Sequence, residues 1–310
     1  MKEKLLVIVG PTAVGKTALS IDLAKQLNGE IISGDSMQVY RRMDIGTAKI
    51  TPDEMESIPH YLIDILDPDQ PYSVAEFQRE AKSLIATINA REKLPMIVGG
   101  TGLYIQSVIY EYQFSEAPKD EALRLKWEEF AHVHGKEALH LRLQEVDPIT
   151  AERLHTNDVK RVIRALEIYQ LTGKPMAEFQ KRSPESPYQL CLLGLTMERS
   201  LLYERINHRV DVMMSQGLVQ EVESLLNNGY PGSLTSMQGI GYKEVVQYLE
   251  GKIPLEEAVE LIKKNSRNFA KRQLTWFRSM KDIHWLDMTN AGDRLSLVEN
   301  IRTFVAGKMC

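Results

Sequence analysis

The octapeptide Gly10-Pro-Thr-Ala-Val-Gly-Lys-Thr17 stands between an apolar run and a segment with helical spacing. It fits the pattern G-x-x-x-x-G-K-[ST]. Glycines in that pattern let backbone N–H groups converge on phosphate oxygens, the lysine neutralises charge, and the Ser/Thr hydroxyl offers a Mg2+ ligand. The surroundings agree with it. Leu5 to Val9 is unbroken apolar sequence, as in a strand covered on both faces of a parallel sheet. Ala18 to Leu27 carries apolar residues at helical spacing until Asn28-Gly29 stops it. A helix starting at such a loop turns its positive dipole end toward an anion. The segment therefore binds a polyphosphate, and by itself does not say which one.

Strand-like and helix-like segments alternate through residue 114: strand 4–9, helix 16–27, strand 30–33, strand 61–65, helix 74–91, strand 95–98 and helix 102–110. This alternation predicts an α/β fold, a P-loop-type parallel sheet with helices on both faces. Ser73-Val-Ala-Glu76 is a capping box, and Val74, Phe77, Ala81, Leu84, Ile85 and Ile88 predict the buried stripe of the helix it opens. From 115 to 187 the pattern changes to consecutive helices, at 121–134, 135–145, after Pro148 and at 158–171. Tyr188 to Thr196 reads as a buried strand that would complete the sheet, and long helices follow at 199–216, 218–228, 242–249 and 255–280. The expected organisation is a core of 1–114 with 188–310, interrupted by an all-helical insertion at 115–187.

With 43% apolar and 26% charged residues and a net charge of -4, the composition is that of an ordinary soluble protein. No apolar stretch reaches bilayer-spanning length, and Met-Lys-Glu-Lys runs into a strand without a signal peptide. A cytoplasmic protein with no membrane partner is expected. Cys191, inside an apolar run, and Cys310, the last residue, are too few for a zinc site and suit no disulfide, so both are read as structurally inert. The acidic average hides a local asymmetry. Lys263, Lys264, Arg267, Lys271, Arg272 and Arg278 lie in one stretch without an acidic residue, so global charge does not argue against an RNA partner.

Ser33 to Lys49 leaves the carboxyl end of the second strand beside the phosphate loop, where open parallel sheets gather their active residues. Asp35 there fits three roles: metal-shell ligand, general base, or simple capping residue of a Gly-Asp-Ser turn. Ile97 to Tyr104 leaves another strand end. Gly99, Gly100 and Gly102 predict close approach of the backbone to a ligand, with the Thr101 hydroxyl at the same mouth. This run lacks the third glycine of a dinucleotide fingerprint, and no acidic residue ends the 95–98 strand as a Walker B aspartate would. Asp64 and Asp67 are the fallback candidates for that role. Arg205 and Arg209 share one helix face, and Arg161 and Arg164 another; such pairs suit diphosphate or RNA backbone as well as plain solvation. Lys264, Arg267, Lys271 and Arg278 recur along the last long helix in a stripe suited to nucleic acid, flanked by Phe269, Trp276 and Phe277. Phe269 and Phe277 are expected in the core.

Beyond the phosphate loop, Gly34-Asp-Ser-Met-Gln-Val-Tyr40, Asp44-Ile-Gly-Thr-Ala-Lys49, His60-Tyr-Leu-Ile-Asp-Ile-Leu-Asp-Pro68, Val98-Gly-Gly-Thr-Gly-Leu-Tyr104 and Gly239-Ile-Gly-Tyr-Lys-Glu244 follow in order. Together these strings resemble the bacterial tRNA dimethylallyltransferases, from residue 5 to about residue 280. The resemblance implies a P-loop core with a helical insertion that binds tRNA. It also implies transfer of a dimethylallyl group from dimethylallyl diphosphate to N6 of adenosine 37, next to the anticodon. The diphosphate would rest on Gly10, Pro11, Thr12, Ala13, Val14, Gly15, Lys16 and Thr17, with Mg2+ as cofactor on Thr17. By the same resemblance Asp35 is the base, and Lys16, Thr17 and Arg209 take up charge on the diphosphate. Asp35, Ser36, Met37, Gln38 and Thr101 would meet the tRNA adenosine; Arg124, Val159, Lys160, Arg161, Val162 and Ile163 correspond to tRNA-contacting regions. A monomer acting on the anticodon stem-loop is expected. The eukaryotic members carry a C-terminal zinc finger, without which this chain ends.

Three other readings compete: a P-loop kinase or ATPase acting on a small molecule, a prenyltransferase acting on free adenylate, and a non-catalytic RNA-binding nucleotide switch. The insertion and the basic helix favour RNA over free nucleotide, and the missing Walker B residue weighs against a kinase.

Overall fold

The computed structural model describes residues 2–309, except 116, 180–182, 184 and 290–293. Cys310 lies outside the described residues. The chain divides into two compact units, 1–109 with 186–310, and 110–185.

The first unit opens with β1 (Lys4–Val9), α1 (Lys16–Leu27), β2 (Gly29–Ser33), the short α2 (Pro52–Met55), β3 (His60–Tyr61), α3 (Val74–Ala90), β4 (Leu94–Gly99) and α4 (Gly102–Ile109). The second holds α5 (Glu121–His134), α6 (Lys136–Val146), α7 (Pro148–Arg153), α8 (Val159–Thr172) and α9 (Met176–Phe179). The chain then returns to the first through β5 (Gln189–Thr196), α10 (Arg199–Ser215), α11 (Leu218–Asn227), α12 (Tyr242–Leu249), α13 (Leu255–Arg278), β6 (His284–Asp287) and α14 (Arg294–Met309).

Six parallel strands form one sheet in the order β3-β2-β4-β1-β5-β6. From β1 the chain crosses to β2 past β4, and from β3 it returns to β4 in the opposite sense. Right-handed crossovers then put α1 and α3 on opposite faces. Leu6 and Ile8 pack with Leu19 and Leu23 of α1 and with Val298, Ile301 and Val305 of α14. On the other face α3, opened by the expected Ser73/Glu76 capping box, buries Phe77, Ala81, Ile85 and Ile88 completely. Val74 and Leu84 are only half-buried, at the margins of that stripe.

Two expectations fail. The strand read at 61–65 stops at Tyr61, because Leu62 and Asp64 take left-handed φ of 62° and 54°, which no strand tolerates. The following residues bond instead to 38–39, through Asp64 N–H to the Gln38 carbonyl and Ile65 N–H to that of Val39. Nor does β5 complete the sheet: β6 pairs beyond it, and its four residues carry too short a pattern to stand out in sequence. Cys191 is buried and free, and burial pushes its thiol up to about 11. Among the described residues no helix is long and apolar enough to cross a membrane.

The second unit is a small helical bundle with its own core of Leu139, Leu143, Val162, Ile163, Ala165 and Leu166. Within it Glu167, fully buried on α8, receives Arg124 Nε and Nη2, each at 2.9 Å, Arg164 Nη1 at 2.6 Å and the Asp120 N–H at 2.8 Å.

Candidate active site

β1 ends at Val9 in the middle of the sheet, so the loop that follows opens over the carboxyl ends of the strands, the usual ligand side of such a sheet. Gly15 takes φ 103° immediately before α1, and Ala13 φ 64°. The loop thereby turns back into a helix whose first amides have no intrahelical partner. Val14 is buried with Ala13 packed against the same apolar cluster, which anchors the loop from below. Lys16 folds over it, Nζ donating to the carbonyls of Gly10 at 2.9 Å and Pro11 at 2.8 Å. Burial, and then the Arg209 charge, lower the Lys16 pKa to about 8 against the opposing effect of Asp35.

Two cavities meet over this loop. The first is lined by Thr12, Lys16, Thr17 and Gln38 among others, the second by Ser36, Met37, Thr101 and Tyr242 among others. Thr12, Asp35, Thr47, Arg209 and Phe269 line both. Among the described residues Asp35 is the only carboxylate on either wall. Its Oδ1 accepts the Met37 N–H at 2.8 Å, a short turn that ties the side chain to its own loop. The capping reading and a functional one are therefore compatible. Thr101 sits opposite, with Oγ1 accepting the Ser36 N–H at 3.1 Å. Arg209 reaches in from α10, and Nη1 donates to the Thr12 hydroxyl at 3.3 Å; burial works against its positive charge while Asp35 supports it.

The glycine turn after β4 puts Gly99 and Gly100 in the wall of the first cavity, and it is also packed tightly from behind. A Cβ on Gly99 would lie 2.3 Å from the Gly34 carbonyl oxygen, one on Gly100 2.2 Å from Gln273 Nε2, and one on Gly102 2.3 Å from the Trp276 ring. These positions therefore also admit close approach by other parts of the protein. Gln38 is held by its neighbours. It lines only the first cavity, and its carboxamide is engaged by the Ser33 hydroxyl at 3.1 Å and by the carbonyls of Thr47 and Ala48 at 3.5 and 3.4 Å. Asp64 and Asp67 line neither cavity: Asp64 accepts Lys49 Nζ at 2.5 Å, and Asp67 faces Arg41 at 3.7 Å. Their pairing with basic residues takes them out of the Walker B role. Phe269 is not core, since it stands in the wall of both cavities beneath the Arg272 guanidinium, 5.8 Å from its ring centre, whereas Phe277 is completely buried.

A sequence model described as IPP transferase matches residues 38–280. The chain belongs to the IPP transferase family. It is 56% identical to the tRNA dimethylallyltransferase of Geobacillus kaustophilus over all of this chain and 98% of that protein. The crystal structure of a tRNA isopentenylpyrophosphate transferase from Bacillus halodurans shares 52% identity and a TM-score of 0.76, covering 99% of this chain and 97% of that one. A eukaryotic dimethylallyltransferase, crystallised acting on tRNA, matches at 32% identity and a TM-score of 0.82 over 98% of this chain and 80% of that one.

In this IPP transferase family member, sequence reasoning missed Gln273 and Glu221. Gln273 binds two loops at once and carried no motif. The Glu221 carboxylate on α11 accepts the N–H groups of Asp44 at 2.9 Å, Ile45 at 2.7 Å and Gly46 at 3.1 Å, and the Tyr242 hydroxyl at 2.7 Å. Three consecutive amides aimed at one carboxylate hold the segment that carries Thr47 into the cavities. The basic stripe on α13 is split: Lys264, Lys271, Arg272 and Arg278 are exposed, but Arg267 bonds to Asn207 Oδ1 at 2.5 Å and Lys263 to Asp211 at 2.8 Å. On α10 Arg205 is exposed and does not share the cavity with Arg209.

The second unit also corrects part of the expected RNA-contacting set. Val162 and Ile163 are 0% and 3% exposed, so their side chains are core, leaving Lys160 and Arg161 at the surface with Val159 half-buried. Arg124 is committed to Glu167 through both arms of its guanidinium. Burial alone would raise the Glu167 pKa, but the bonds from Arg124, Arg164 and the Asp120 amide outweigh it and hold the carboxyl at about 2. That pair is a structural ion pair within the bundle, and Arg164 belongs to it.

Proposed function

We propose that this protein transfers the dimethylallyl group of dimethylallyl diphosphate to the exocyclic N6 of adenosine 37 in the anticodon loop of tRNA, releasing diphosphate. The observation that carries this reading is the position of Asp35. It stands where the phosphate-loop cavity joins a second cavity walled by Ser36, Met37 and Thr101. A diphosphate ester seated on Gly10 to Thr17 would then present its carbon at the junction, facing an acceptor held in the second cavity.

The reaction asks for three things. As the C1–O bond breaks, negative charge grows on the departing diphosphate, and Lys16 and Arg209 supply fixed positive charge beside it. As the C1–N6 bond forms, the amine must lose a proton, and the Asp35 carboxylate is within the same space to accept it. The adenine must leave the base stack to enter a cavity, with the backbone of the loop held outside. Exposed Lys264, Lys271, Arg272 and Arg278 on α13, and Lys160 and Arg161 in the helical insertion, suit that grip.

Among the described residues no cluster of three His, Cys, Asp or Glu side chains is able to hold a metal. The Thr17 hydroxyl in the phosphate-loop cavity fits Mg2+ all the same, because that ion keeps several waters and takes only one or two protein oxygens plus phosphate. Thr17 would hold it, and the ion would supply charge neutralisation on the diphosphate. A tRNA substrate supports a cytoplasmic enzyme, and we read it as one acting as a monomer.

Incubation with dimethylallyl diphosphate, Mg2+ and an anticodon stem-loop RNA tests the reading by the mass of the RNA. A gain of one prenyl unit on the adenosine 3′ to the anticodon supports it. ATP turnover with unmodified RNA would replace it with the kinase or switch reading.

A further inference from the structure

Gln273 lies in the last two turns of α13, is 6% exposed and reaches the wall of the phosphate-loop cavity. Its carboxamide is used at both ends. Oε1 accepts the Thr12 N–H at 2.9 Å, and Nε2 donates to the Gly100 carbonyl at 3.1 Å. One side chain from the C-terminal part of the sequence thus ties the phosphate-binding loop to the glycine turn after β4. The turn is shaped to admit it, since a methyl group at Gly100 would collide with Nε2.

Thr12 is also the residue whose hydroxyl accepts from Arg209. Its main chain is therefore held by α13 and its side chain by α10. The Thr12 amide, being bonded to Gln273, shapes the loop, which turns through the left-handed Ala13 immediately afterwards. A buried amide satisfied at both ends resists displacement, because removing either partner leaves an unpaired polar group.

We propose that Gln273 is a positioning residue for the diphosphate. By fixing Thr12 it keeps the loop in its phosphate-accepting shape and keeps Arg209 aimed at the same point. The absence of a side chain at Gly100 preserves room for that amide. This inference rests on the reading of the Gly10–Thr17 loop as the site of the donor's diphosphate.

Inorganic pyrophosphate with Mg2+, titrated by calorimetry, tests it without any transfer reaction. Gln273→Ala and Gly100→Ala should each weaken pyrophosphate at least fivefold, and the double variant should be no worse than the weaker single one, because both act through one contact. The KM for dimethylallyl diphosphate should rise in parallel while affinity for the stem-loop RNA stays within twofold. Should Gln273→Ala not fold, Gln273→Met keeps the volume and loses the amide, with the same expectation. Pyrophosphate affinity reduced less than fivefold, additive losses, or an equal loss of RNA affinity would each overturn the proposal. A parent protein that modifies RNA yet binds no pyrophosphate would remove this inference alone, whereas a parent that does neither would remove the donor reading as well.

Discussion

Arg209 and Thr12 are 197 residues apart in sequence and 3.3 Å apart in space, joined by a bond from a guanidinium N–H to the hydroxyl of the phosphate loop. The relationship brings a second positive charge to a loop that carries only Lys16 of its own. Replacing Arg209 by Gln should therefore lower kcat about 100-fold, as loss of one donor to developing negative charge does elsewhere. RNA affinity should stay within about twofold, and single-turnover rates with saturating RNA would separate the two.

Asp35→Asn keeps an oxygen able to accept the Met37 N–H and so keeps the turn. It loses the carboxylate that we propose takes the proton. Transfer should fall by about 100-fold or more while the stem-loop still binds. Near-normal turnover in a quench-flow assay would assign the base elsewhere.

Lys16 predicts a pH signature. Burial and Arg209 hold its pKa to about 8, so the free loop begins to lose its charge as pH rises through that value. A bound diphosphate favours the charged form, hence binding above about pH 8 takes up a proton and affinity declines with rising pH. Lys16→Arg stays charged and should abolish the proton uptake. Calorimetry in buffers of different ionisation enthalpy measures it, and identical uptake in the variant would contradict the assignment. Folding carries the linked sign: between about 8 and the ordinary lysine value of 10.5 the unfolded chain binds the extra proton, so this group's contribution to stability improves as pH rises.

Glu221→Gln removes a carboxylate that accepts from three successive amides and a tyrosine hydroxyl, and replaces one oxygen by an N–H donor facing donors. A loss of about 2 kcal/mol is expected, visible as a fall of about 5 °C in Tm. A Tm within about 1 °C of the parent would show that the 44–46 segment is held by other contacts.

The local patterns were legible where a single period or motif dominates. The phosphate loop, the Ser73 capping box, the apolar stripe of α3 and the long helices α10 to α13 all follow from spacing that any reader can count. The short strands were not: β3 has two residues and β6 four, too few for a period to show. The glycines at 99, 100 and 102 were readable as a demand for space, and the sequence could not say that Gly34, Gln273 and Trp276 fill it.

The same division runs through the site. The expectation of a polyphosphate on Gly10 to Thr17 is a local matter of backbone turns and one lysine, so it is written in those eight residues. What the grip is used for depended on contacts between distant segments. Among the described residues Asp35 became the sole carboxylate of two joined cavities, Arg209 arrived on a helix beginning at residue 199, and Gln273 locked the loop from α13. Valine and isoleucine at 162 and 163 turned inward, and the arginine at 124 paired with the buried Glu167, for the same reason: which face of a helix meets its own bundle is settled by packing, and no spacing of residue types along one helix reveals what lies across from it.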